Sequence, residues 1–200
     1  MAIAKLDSIQ KQYVRLVSIF IIYLVVCSLS LVLFCISALT GFNEDSMRFP
    51  VFVLRSLQMI ALILLLILYS IWLYAFHRKL RSFENDYAIS PGYALARFLI
   101  PGYNLWGTWN LHKTYYLSLL TQEGKNREFG NMLRVLLPLF YVAVLLGRGL
   151  RILIMLKTLN LTSYDIFYLL SMTIYILMLI IWLEMIKLMQ CSMTNRQKKN

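Results

Sequence analysis

The sequence predicts an all-α, polytopic membrane protein: four transmembrane helices, with an interfacial or re-entrant helical hairpin between the second and third. Three observations carry that prediction. Of the 200 residues, 60% are hydrophobic and only 14% charged, too little charge to cover a water-soluble domain of this length. Three runs, Leu16–Asn43, Ser56–Phe76 and Ile166–Leu183, contain no Asp, Glu, Lys, Arg or His. At about 1.5 Å per residue each covers roughly 27–42 Å, enough for a hydrocarbon core about 30 Å thick. Finally, Ser90–Leu120 is apolar enough to enter a membrane but is broken twice, at Pro91-Gly92-Tyr93 and Pro101-Gly102-Tyr103.

The spans are expected at about residues 16–40, 54–76, 133–156 and 165–187, within a single integral membrane domain covering residues 1–200. The first run far exceeds the apolar core of a secretory signal and lacks a small-x-small cleavage site, so it reads as a retained signal anchor. The span at 133–156 has a clean apolar part, Val135–Gly147, too short to cross alone. Extended to Leu156 it is long enough, carrying Arg148 and Arg151 on one face near one end. There the two side chains can snorkel to headgroups, contact an anionic headgroup or line an outer vestibule, or pair with Glu44, Asp45 or Asp165. Pro138 is tolerable because neighbouring helices satisfy the freed carbonyl. Ala143-x-x-x-Gly147 permits close helix packing and is the argument for a dimer.

With both termini cytoplasmic, 15 of the 20 basic residues lie inside, leaving Arg48, Arg55, Arg148, Arg151 and Lys157 outside. A bacterial inner membrane is the expected location. The outer loops, Gly41–Pro50 and Lys157–Tyr164, are too short for a domain. The sequon at Asn160-Leu161-Thr162 reads as an unmodified turn. Although the net charge is +11, the basic residues cluster at helix ends, which suits anionic lipid and excludes nucleic acid as a partner.

In the broken segment Ser90-Pro91-Gly92 reads as a turn, followed by two helical turns over Tyr93–Ile100, and Pro101-Gly102 as a second turn. Asn104 then caps a helix running through Leu120. Trp106, Trp109, Lys113, Tyr116 and Leu120 recur every three or four residues along it. Tyr115, His112 and Thr108 fall on its other sides. Aromatic rings with a polar edge, beside Lys113 and Arg97, are suited to the headgroup region.

Trp72-Leu73-Tyr74, Arg78-x-Leu80, Ser90-Pro91-Gly92-Tyr93 and Phe98-x-x-Pro101-x-x-Asn104-Leu105-Trp106 occur in that order. This arrangement resembles a bacterial family of multi-span membrane proteins known as domain of unknown function 4328. The resemblance runs from Trp72 to Tyr116 and implies a membrane protein built around this hairpin, with no reaction attached. It departs after Trp106, where Gly107-Thr108-Trp109-Asn110 replaces a basic-Pro-Tyr-Gln pattern.

No metalloprotease, nucleophile-elbow, phosphate-loop or dinucleotide motif is present. His77 and His112 lack companions at metal-ligand spacing. Glu84-Asn85-Asp86 reads as a solvated turn and Glu184 with Lys187 as a local ion pair. Cys27, Cys35 and Cys191 form no disulfide framework. No metal, cofactor or catalytic residue is expected. The expected function is non-enzymatic: a cytoplasmic-side aromatic-basic hairpin engaging membrane lipid headgroups or a membrane partner, the partner being a second copy of the chain or another membrane protein. The alternative is a small homo-oligomeric channel or transporter whose path the broken segment lines.

Overall fold

The computed structural model describes residues 8–40, 44–84, 87–100, 104–155 and 161–197; the side chains of 38–40, 44–48, 104, 155 and 161–165 also lie outside the description. Six helices occupy the described residues: α1 (Ser8–Thr40), α2 (Glu44–Phe83), α3 (Pro91–Leu99), α4 (Asn104–Leu120), α5 (Lys125–Met155) and α6 (Leu161–Gln197). Four are long and apolar enough to cross a membrane, over Ser8–Ser37, Phe49–Phe83, Lys125–Ile154 and Ile166–Gln197. This is the pattern of a multi-pass, membrane-embedded helical protein. Hydrocarbon offers a backbone no hydrogen-bond partner, so only segments that satisfy their own N–H and C=O groups persist there.

The helices outrun the expected spans at their polar ends. α2 begins at Glu44, so Pro50, expected to close a loop, lies inside the helix. Its missing N–H frees a carbonyl only near the helix start, where a partner is easiest to find. α6 begins at Leu161, inside the expected outer loop, and continues ten residues beyond the expected end, through Gln197. Asn160 of the sequon lies outside the described residues. Hydroxyls within the helices fold back onto the preceding turn, Ser18 onto Val14, Ser28 onto Leu24 and Thr173 onto Leu169, so each enters apolar surroundings already paired.

The chain divides into two compact units. The first unit comprises residues 1–18, 65–138 and 183–200. Its core is aromatic. Tyr69 meets Phe98 at 4.8 Å and Trp72 at 5.7 Å between ring centroids, while Phe76 meets Trp72 and Tyr115, both at 5.1 Å. Trp72, Phe76, Leu80, Tyr115 and Leu119 are fully buried there.

The second unit comprises residues 19–64 and 139–182. Within it α1 packs on α6 through Phe20–Trp182 at 5.3 Å and Phe34–Tyr168 at 4.5 Å. Gln58 of α2 donates from Nε2 to Ser30 Oγ of α1 at 2.8 Å. A Cβ added at Gly147 would sit 3.7 Å from Ile174 Cγ2, so the small-residue step on α5 faces α6 of the same chain. Outward it presents Ile21, Val25, Leu29, Ile60, Ile63, Val142 and Leu146, all around half exposed, as surfaces facing lipid do.

Candidate functional site

The broken segment folds as a helical hairpin in the first unit, α3 packing on α4. Its first Pro-Gly pair opens a helix rather than forming a separate turn. Ser90 is the N-cap, its Oγ accepting from Tyr93 N at 3.3 Å, and Pro91 stands at the first helical position. There proline's fixed φ suits the helix and its missing N–H costs nothing. Gly92 has open space where a side chain would be. At the other end Ile100 N donates to Ala96 O at 3.1 Å. Pro101 and Gly102 lie outside the described residues. Asn104 is the first residue of α4, with its side chain outside the description.

Sequence reasoning passed over the residue that lets the two helices meet. A Cβ at Gly107 would fall 2.7 Å from Arg97 O and 2.9 Å from Arg97 Cβ, so the backbones touch at a point only glycine fits. The signal was present: Gly107 opens the stretch that departs from the family pattern.

α4 has two faces. Gly107, Leu111, Tyr115 and Leu119, four residues apart, are buried, as is His112. On the other face Trp106 is 62% exposed, with Lys113 and Leu117 also exposed and Trp109 and Tyr116 half-buried. Leu99 and Ile100, at 55% and 51%, add apolar surface at the end of α3. Arg97 is half-buried, its guanidinium 4.2 Å over the Tyr93 ring.

A polar network seats the hairpin on the C-terminal part of α6. Tyr115 OH hydrogen-bonds Ser192 Oγ, and Ser192 Oγ donates to Met189 O at 2.7 Å. Arg196, 6% exposed, pairs through Nη1 with Glu84 Oε1 and donates from Nη2 to Ser118 Oγ at 3.3 Å. Gln122 Nε2 donates to the same Glu84 oxygen at 3.1 Å, Asn126 Nδ2 to Gln122 Oε1 at 2.7 Å, and Asn195 Nδ2 to Asn126 Oδ1 at 2.9 Å. Glu84 is therefore a structural anchor and not a solvated turn residue; Asp86 lies outside the described residues. Trp72 Nε1 and Gln190, with Gln10 beyond it, link α2, α6 and α1 in the same way.

His77 of α2 and His112 on the inner face of α4 are both buried. His112 Nδ1 faces Thr108 O at 2.8 Å, while its Nε2 and both ring nitrogens of His77 have no protein hydrogen-bond partner. Burial lowers the pKa of His112, against a smaller opposing effect of the Thr108 carbonyl, so the ring is held neutral. Burial likewise raises the Tyr87 phenol, and raises Tyr115 to about 12 despite its Ser192 bond. None of these groups forms a nucleophile–base pair. Among the described residues no group of three metal-binding side chains occurs.

Other expected contacts fall elsewhere. Glu184 and Lys187 form the anticipated pair at 2.6 Å. Arg148 and Arg151 separate: both are exposed, but only Arg151 lines a cavity of the second unit and stacks on Tyr175, 5.1 Å from the ring. The side chains of Glu44, Asp45 and Asp165 lie outside the described residues. Compared with models of protein families, with curated proteins and with solved structures, the chain matches none.

Proposed function

We propose that the protein is a non-enzymatic multi-pass membrane protein whose α3–α4 hairpin engages lipid headgroups at the cytoplasmic surface of a bacterial inner membrane. The observation that carries this is the outer face of the hairpin. Trp106, Leu99 and Ile100 stand more than half exposed beside Lys113, while the opposite face is locked by buried aromatics and the Arg196–Glu84 pair. An exposed apolar-aromatic edge next to a cation costs free energy in water and gains it in the headgroup layer. The hairpin begins seven residues after the apolar helix α2 ends, which keeps it close to that layer. The positive-inside count supports a cytoplasmic side for the N-terminus and for the segment that carries the hairpin. Of the residues behind the family resemblance, Ser90 and Pro91 start the hairpin and Phe98 packs it on Tyr69, which supports this reading.

The test is a nitroxide placed by Trp106→Cys, with Cys27, Cys35 and Cys191 replaced by Ala, in nanodiscs of anionic lipid. The reading expects greater accessibility to oxygen than to a water-soluble nickel chelate, and Lys113→Gln to weaken anionic-lipid retention. Dominant nickel accessibility places the face in water, where it would serve a soluble partner, and ends the lipid reading. A second reading, a small homo-oligomeric channel or transporter whose path the broken segment lines, draws on the buried His77 and on His112 within that segment; ion or solute flux in liposomes, lost in His77→Ala, would favour it.

A further inference from the structure

Within the second unit a cavity of about 420 Å³ opens between the C-terminal part of α1, the first turns of the α2 span, the end of α5 and the start of α6. Its size falls inside the roughly 300–1,000 Å³ of small-molecule sites. Two cations, Arg55 and Arg151, line it, together with Gln58, Ser30 and Ser37. Among the lining residues whose side chains are described, none is acidic and none is a lysine. Ser171 and Tyr168 add two more hydroxyl-bearing side chains, and the rest of the wall is apolar, with Leu33, Phe34, Leu54, Ile154 and Met172.

We propose that this cavity binds the phosphate of an anionic membrane lipid, its acyl chains running out along the apolar wall. Two guanidiniums on helices of a membrane protein are costly unless an anion accompanies them, and guanidinium forks match phosphate oxygens. Arg151 is already held in place by its stacking on Tyr175. Gln58 is oriented by its bond to Ser30, whose hydroxyl in turn donates to Val26 O at 3.0 Å. Among the carboxylates whose side chains are described, none pairs with either arginine. The apolar wall separates this from a site for free phosphate, which would want polar partners on all sides. The site is independent of the hairpin and survives if the hairpin reading fails.

The test uses the full chain in detergent, with thermal stability and native mass spectrometry as readouts. Phosphatidylglycerol is the probe; phosphatidylcholine and inorganic phosphate are the comparisons. The expected result is stabilisation and retained adducts with phosphatidylglycerol alone. Arg55→Gln or Arg151→Gln should weaken binding at least roughly tenfold. Arg148→Gln, which alters an exposed arginine outside the cavity, should leave it unchanged. Met172→Trp fills the cavity while keeping both cations and should also abolish binding. Equal effects from phosphatidylcholine, as expected if Asp165 or Glu44 neutralises the arginines, would overturn the proposal. So would equal stabilisation by inorganic phosphate, or an Arg148→Gln loss matching that of Arg151→Gln.

Discussion

The two units bury different things. In the first, His77, His112, Asn126, Gln190, Ser192 and Arg196 are all buried; in the second, Ser171 is the buried polar residue among those described. The first also encloses Trp72, Tyr69, Phe76 and Tyr115 almost completely, whereas the second leaves long rows of Ile, Leu and Val exposed. The difference follows from solvent. Side chains that face lipid lose nothing by staying outside, so those helices need only close packing at a few rings and small residues. A hairpin built from short helices has no such support and must be tied down by burial and specific polar pairing. If that contrast is right, equal substitutions should have unequal consequences.

The largest contrast is expected between Trp72→Ala and Ile63→Ala. Trp72 is fully buried and donates to Gln190 Oε1 at 3.2 Å, so its truncation should cost about 3–5 kcal/mol. Ile63 is 52% exposed, and its loss should stay within about 0.5 kcal/mol. Unfolding in detergent micelles measures both. Comparable losses would mean that lipid-facing side chains carry as much of the stability as the aromatic core, and the contrast fails.

Next comes the Arg196–Glu84 pair, and here the order of damage is informative. Glu84→Gln leaves a guanidinium that is only 6% exposed without its counter-charge, a loss of about 2–3 kcal/mol. Arg196→Met leaves a carboxylate that is 31% exposed and still bonded to Gln122, so the loss should be nearer 1 kcal/mol. The double variant should fall well short of the sum of the two. A strictly additive result would show that the pair is not coupled and that the hairpin is held by packing alone.

The spans were legible because each is self-contained. A charge-free run in hydrocarbon closes its own hydrogen bonds, so its signal is local. The hairpin was half legible. Ser90-Pro91-Gly92 reads as a turn in isolation, although a serine cap before a proline also suits the helix start that it makes, and the exposed Trp106–Lys113 face follows from helical spacing. What no local pattern could supply is pairing across the fold. Glu84 looked like a loop residue because its partner, Arg196, lies 112 positions away, on a helix expected to end near residue 187. Gly107 was visible only as a break in a family pattern; its meaning depends on where Arg97 stands.

Gly107 therefore gives the third experiment. Gly107→Ala forces a methyl group against the Arg97 carbonyl and should cost about 1–3 kcal/mol, with faster hydrogen exchange confined to α3 and α4. Gly92→Ala has open space and a helical position, so it should be neutral or stabilising by about 0.5–1 kcal/mol. Equal behaviour of the two would place the helix crossing elsewhere.

The smallest effect is expected from pH, and it separates the polar core from the apolar unit most selectively. His112 is buried and its folded-state pKa lies below the ordinary 6.5, with burial the main cause. A base with a depressed folded pKa contributes its stability in full above the unfolded value and loses it as pH falls through that value towards the folded one. Tyr115 acts at the opposite extreme: raised to about 12, it begins to cost stability only above pH 10. Lowering the pH from about 7.5 to about 5.5 should thus loosen amide protection in α3 and α4 and leave residues 19–64 unaffected. His112→Asn keeps a donor near the Thr108 carbonyl but cannot titrate, so it should flatten most of that response. An unchanged pH response in His112→Asn would move the sensitivity to another group, and a response of equal size in the apolar unit would erase the distinction between the two regions.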